Sequence, residues 1–363
     1  MPLESQVDAQ IFGEIAKGRG GHALHDVELP PEARQAYEDL SLRAQDLIRS
    51  ARSAVSGLPH IHFGFVRHAE VNAFATCTQG RYFIGVNTGL VFLLRMLIGR
   101  ILADRALFAW VGNALEERTD LPRIKFYVPH ADQMWASEEL VSPRNELRRV
   151  YAHHITDRAL MFFVGHEIAH ISRGHVDYWQ RERGASVYSE RLDETMAEAL
   201  LFERQCLEWD ADTQSIMTSV NSLRDTQESA GFEGFSWGSG SRDSASLFRD
   251  WSVVIAIVFR MMGDRRVSDI DLRKAHPPLL SRWQLADAVG RWGIDLFWPA
   301  EEREAARSGI GEGLREAARA FAAIVENVLK DAPELPPAEH LVKLQNYWND
   351  VLVGKVRPYS YEF

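Results

Sequence analysis

The chain has 363 residues, of which 46% are hydrophobic and 25% charged, with a formal net charge of -10. That balance allows a sizeable buried core and excludes a broad electrostatic attraction to nucleic acid or to an anionic membrane surface. The two cysteines, Cys77 and Cys206, exclude a disulfide framework and a CxxC metal site and suit a reducing compartment.

In chain order, the N-terminus MPLESQVDAQ has no basic segment leading into an apolar one. No secretory leader is read there, and a cytoplasmic location is expected. The first thirty residues are glycine-bearing and weakly periodic, which predicts an irregular arm. From Pro30, PPEARQAYEDLSLRAQDLIRSARSAV places prolines where a first helical turn tolerates them and continues with helical periodicity. HIHFGFVRH and GRYFIGVNTG predict two strands around a loop at residues 76–80, with Tyr82, Ile84 and Val86 on one face by period two. GLVFLLRMLIGRILADRALFAWVGNAL predicts a long apolar helix or helix pair, and RIKFYV a short strand. The apolar runs GLVFLLRMLIG and WSVVIAIVFRMMG fall short of the roughly 20 residues a membrane-spanning helix needs, so both predict buried helices and no membrane span.

Residues 151–172 predict a helix stopped by Gly174. A second long helix is expected over 189–219, then a glycine- and serine-rich stretch, GFEGFSWGSGSRDS, which suits a lid or a packed surface loop. Further helices are expected over 245–262, after Pro277 and Pro278, and in EEREAARSGIGEGLREAARAFAAIVENVLK. The fold class is therefore α+β, mostly α-helical, with a small sheet in the first third.

The chemistry sits in VGHEIAHISRGH, where His166, Glu167 and His170 write H-E-x-x-H. Residues four apart share a helix face, so both imidazoles can aim at one ion. Glu167 follows the first of them and can take a proton from water activated by Zn2+. A third ligand is then required. The spacing of His175, five residues past His170 and directly after Gly174, argues against a ligand and favours a helix-end or supporting residue. Downstream, CLEWDAD offers Glu208, which with two histidines makes the His2Glu set of catalytic zinc sites. Asp212, one turn on, can accept an N–H from a ligand histidine and fix its tautomer. Glu194, Glu198 and Glu203 on the same helix remain rival ligands, and the stretch could also be a solvated acidic face.

Together, H166-E167-I-A-H170 and E208-W-D-A-D212 resemble the gluzincin metallopeptidases of the CAAX prenyl protease and HtpX type. VNAFAT at residues 71–76 resembles that family's N-A-F-A segment, and AHPPLLSRW at 275–283 its H-P-x-x-x-x-R segment, all in the family's order. The chain departs from the membrane members in showing no spanning helix.

The resemblance implies a zincin-like fold over residues 59–290, leaving 1–58 as an N-terminal arm and helix and 291–363 as a C-terminal helical extension packed on it. It implies a zinc-dependent endopeptidase acting on a protein or peptide, with His166, His170 and Glu208 as metal ligands and Glu167 as general base. His276 is expected to face the site as oxyanion donor, or else to be a helix-entry histidine. Arg282 is expected to pair with Asp212, or to be a surface arginine. Asn72, Ala73 and Phe74 are expected at an edge strand that holds an extended substrate by main-chain pairing, or in a buried hairpin. No nucleic-acid partner is expected; a regulatory partner protein is compatible with this reading, as is a catalytically silent scaffold that binds a partner.

Overall fold

The computed structural model describes residues 3–25, 29, 31–124, 140–184, 198–228, 243–262, 277, 279–325 and 337–362. Helix α1, Leu3–Gly18, occupies most of the stretch expected to be an irregular arm. Its buried residues Asp8, Phe12 and Ala16 recur every fourth position, so it has an inward stripe despite its weak apolar contrast. Strand β1, His22–Ala23, follows, then α2, Pro31–Ala54. Tyr37, Leu40, Ala44 and Ile48 form the buried stripe of α2.

Three further strands come next: β2, Ile61–Arg67, β3, Ala73–Thr78, and β4, Arg81–Asn87. The sheet order among the described residues is β1-β2-β4-β3, with β2 and β4 parallel and β3 antiparallel to β4. The sequence led to two strands around a loop, but residues 73–78 are themselves a strand. Ala73, Ala75 and Cys77 supply small inward positions, which carry little of the β-branched signal that marks a strand. The turn from β3 to β4 uses Gln79 and Gly80, with φ of 56° and 72°, as a right-twisted hairpin requires.

Side chains alternate cleanly across the sheet. Phe63, Phe65, Ala75, Ile84 and Val86 join the main core. Val66, Phe74 and Phe83 form a smaller cluster with Phe12 and Ala16 beneath α1. Both faces are thus covered.

Helix α3, Thr88–Ala103, is buried at every residue but Arg95. It is a single helix of the protein interior, and no described helix is long and apolar enough to cross a membrane. The chain after it is held by Arg148, whose guanidinium donates to the carbonyls of Leu102, Asp104, Leu107, Phe108 and Val111 at 2.6–3.2 Å. Arg148 lies in the first turn of α4, Glu146–Ser172, which Asn145 caps by accepting from Arg148 N. The RIKFYV strand expectation falls largely outside the described residues; Ile124 alone pairs, in an isolated bridge with Val325.

Gly174 stops α4, adopting φ of 81°, and α5, His175–Arg183, starts at once. The remaining helices are α6, Glu198–Glu228, α7, Ser244–Met262, α8, Leu279–Phe297, α9, Arg303–Ile324, α10, Pro337–Tyr347, and α11, Val353–Val356. α4 is the central element, packing on α3, α6, α7 and the strands β3 and β4, while α9 lies along α7. The glycine- and serine-rich stretch read as a lid lies outside the described residues.

Candidate metal centre

The middle of α4 is built from Phe162, Phe163, Val164, Ile168 and Ile171, all buried. A helix so apolar has to be interior, and it carries His166, Glu167 and His170 inside with it, each at most 2% exposed. The imidazoles sit one turn apart, ring centroids 4.6 Å from one another and nearly perpendicular. α6 packs across this face and brings Glu208, also fully buried.

The donor atoms converge. His166 Nε2 and His170 Nε2 are 2.9 Å apart, and Glu208 Oε2 lies 3.2 Å from the first and 3.6 Å from the second. Ligands at ~2.0–2.1 Å in a tetrahedral zinc site are spaced by about 3.3 Å, so these separations suit a Zn2+ ion. Among the described residues, His166, His170 and Glu208 form the group of three or more candidate metal donors.

The other nitrogen of each imidazole has a polar partner beside it. His166 Nδ1 lies 3.1 Å from Asp212 Oδ1, and Asp212 is gripped by Arg282, whose Nε and Nη2 donate at 2.7 and 2.6 Å. His170 Nδ1 contacts His175 Nδ1 at 3.0 Å, and His175 Nε2 contacts Asp210 Oδ2 at 3.1 Å. Arg173 donates to Asp210 through Nε and Nη2 at 2.7 and 2.9 Å. The carboxylates fix the tautomers. A proton on His175 Nε2, donated to Asp210, leaves His175 Nδ1 an acceptor for the Nδ1–H of His170. With Nδ1 protonated and Nε2 free, each ring would present an Nε2 lone pair to one point beside the Glu208 carboxylate, a donor set that could hold a cation.

The protein's own charges treat the two rings differently. Burial opposes charge on His166, but Asp212 and Glu208 outweigh it and push the imidazole up to about 10. Burial dominates at His170, which is pushed down to about 3. Burial would raise both aspartates; His175 and Arg173 nevertheless hold Asp210 below the usual carboxylate range, and Arg282 and His166 do so for Asp212. Arg204 Nη2 lies 3.8 Å from the other oxygen of Glu208.

Of the rival acidic residues, Glu203 accepts from the Tyr178 hydroxyl at 2.9 Å, Glu198 is exposed, and Glu194 lies outside the described residues. His276 lies outside them too. Arg282 is a fully buried arginine and not a surface one. β3 ends the sheet among the described residues, with Asn72 just before it. Asn72, Ala73 and Phe74 are all buried. The Asn72 carbonyl accepts from Asn87 N at 3.0 Å. Ala73 faces the main core, whereas Phe74 lies under α1 with the Arg19 guanidinium 3.8 Å from its ring. Asp210 and Arg173 were not anticipated. The one available signal is that Asp210, two residues past Glu208, is turned about 200° away from it around the helix, and so faces α5 instead of the donor set.

The family model described as peptidase family M48 matches residues 38–289, from within α2 to within α8. No curated protein and no solved structure matches the chain. The family match covers more than half of the sequence and contains the converging histidines and glutamate, so the chain belongs to peptidase family M48, the metallopeptidase family of the HtpX and CAAX prenyl protease type.

Proposed function

We propose that the protein is a zinc-dependent endopeptidase, with His166, His170 and Glu208 holding the ion. The observation that carries this reading is the convergence of two Nε2 atoms and one carboxylate oxygen within 3.6 Å of one another, with Asp212 and His175 beside the two Nδ1 atoms. The ion supplies Lewis acidity toward water and the scissile carbonyl. Glu167 takes the proton of the attacking water and delivers it to the leaving amine nitrogen. Asp212 and His175 hold the two imidazoles so that their Nε2 atoms need no reorientation to bind. The family resemblance assigns His276 as donor to the oxyanion and the segment Asn72 to Phe74 to main-chain pairing with an extended substrate. Two buried free cysteines support a reducing, cytoplasmic setting.

The test is metal analysis and proteome-wide cleavage profiling of the wild type beside Glu167→Gln. Both proteins should carry about one zinc per chain, while the variant loses cleavage by about 10²–10⁴-fold, the range for a removed general base. Bound zinc with no cleavage by the wild type would point instead to a silent scaffold. Absence of zinc binding from both would end the metallopeptidase mechanism for this chain.

A further inference from the structure

The segment after α11 lies beyond the family match, yet it is fastened to the elbow between α4 and α5. Tyr361 N donates to the Ser172 carbonyl at 2.8 Å, and Ser360 Oγ donates to the same oxygen at 3.1 Å. The Ser172 hydroxyl donates to Glu362 Oε1 at 2.5 Å. Arg173 Nη1 donates to Glu362 Oε2 at 3.3 Å. Further along α5, the Tyr359 hydroxyl donates to Glu182 Oε1 at 2.8 Å. The elbow itself needs Gly174: a Cβ there would meet Tyr359 C at 2.4 Å and Ser360 N at 2.6 Å.

These contacts continue the chain of hydrogen bonds that ends on a metal-ligand histidine. Arg173 offers Nη1 to Glu362 and turns Nε and Nη2 to Asp210. Asp210 holds His175, and His175 holds Nδ1 of His170. A guanidinium is planar, with its donors in a fixed fork. A carboxylate at each edge therefore sets the plane of Arg173, and with it the position from which Asp210 reaches His175. His166 has its own, separate anchor in Asp212 and Arg282.

We propose that Glu362 is a positioning residue for His170, so that the tail at residues 359–362, outside the family domain, sets the affinity of the metal centre. The proposal rests on the reading of His166, His170 and Glu208 as metal ligands. Partners one step behind a metal ligand change affinity by about 10–100-fold when removed. Glu362 stands further back, and an effect near the lower bound, about tenfold, is expected.

The experiment uses the full chain and zinc itself, with affinity read by competition against a chelator of known strength, and the visible absorption of the Co2+-substituted protein as a report on ligand geometry. Glu362→Ala is compared with Tyr359→Phe, which cuts a tail anchor that leads to Glu182 and not to the histidines. Glu362→Ala should bind one zinc about tenfold more weakly and alter the Co2+ bands. Tyr359→Phe should do neither, although both variants lower the melting temperature. Glu362→Gln, which keeps an acceptor for Arg173, should recover part of the affinity. Glu362→Ala binding within twofold of the wild type would overturn the proposal. Equal weakening by Glu362→Ala and Tyr359→Phe would also overturn it, reducing the tail to a general clamp. A wild type that takes up no zinc would instead overturn the assignment of the metal centre.

Discussion

Arg282 holds Asp212 through two parallel hydrogen bonds of 2.7 and 2.6 Å, with neither side chain exposed to solvent. The pair ties α8 to α6, and its carboxylate is the group behind His166. Removing one partner of a buried pair leaves a bare charge and costs about 3–5 kcal/mol. Arg282→Met should therefore lower unfolding free energy by about that amount in chemical denaturation. It should also weaken zinc binding by about 10–100-fold. Arg282→Lys should fall between, because a lysine cannot reproduce the bidentate grip. A fully stable Arg282→Met protein would contradict the account.

Gly165 precedes His166 and is the interior glycine of α4. A Cβ built there meets nothing within 4 Å. The residue borders a cavity of about 130 Å³ that it shares with Phe162, Ser215, Trp251 and Val254. Glycine inside a helix is less favourable than alanine by about 0.5–1 kcal/mol. With room for the methyl group, Gly165→Ala should stabilise the protein by about that amount. Thermal melts of the two proteins decide it, and a destabilised variant would mean that the cavity is not free to accept the added carbon.

Gly174 is the opposite case. Its φ of 81° lies in the left-handed region, where a Cβ costs about 1–2 kcal/mol, and the tail backbone leaves that atom no room. Gly174→Ala should destabilise by at least about 1–2 kcal/mol and loosen residues 359–362. Hydrogen exchange at the Tyr361 amide, which is bonded to the Ser172 carbonyl, should accelerate. Unchanged protection there would show that the elbow yields elsewhere.

How much of this was legible in the sequence depends on how local each relationship is. The pairing of His166 with His170, and of Glu208 with Asp212, is a four-residue repeat on one helix. Spacing alone puts each pair on a shared face. The strand β4 was legible because Tyr82, Ile84 and Val86 alternate with a partner face. β3 was not, since alanines and a cysteine fill its inward positions and carry no strong strand preference. α1 was missed because its buried stripe consists of Asp8, Phe12 and Ala16, in which an aspartate paired with Arg81 at 2.7 Å occupies a core-facing position. The route from His170 to Glu362 joins residues as far as 189 positions apart. No periodicity can announce it, because it is created by the way α4, α5, α6 and the tail pack.

Asp250, on α7, makes a pH prediction away from the candidate metal centre. It is only 7% exposed, and burial pushes its carboxyl up to about 6, against the pull of Tyr151, Arg249 and Arg158. The folded state therefore binds this proton more tightly than the unfolded chain, whose aspartates titrate near ~3.9. Below about pH 4 both states are protonated and the residue imposes no penalty. As pH rises from about 4 to 6 the unfolded chain loses the proton first, stability falls, and above about 6 the full loss is present. Two pKa units correspond to about 3 kcal/mol. Asp250→Asn keeps the shape of the neutral acid and abolishes the titration. It should exceed the wild type in unfolding free energy by up to about 3 kcal/mol at pH 7, with the advantage vanishing near pH 4. Denaturant titrations of both proteins at the two pH values measure the difference directly. An advantage of equal size at both would mean that the carboxyl titrates alike in the folded and unfolded chain, Arg158 and Arg249 offsetting its burial.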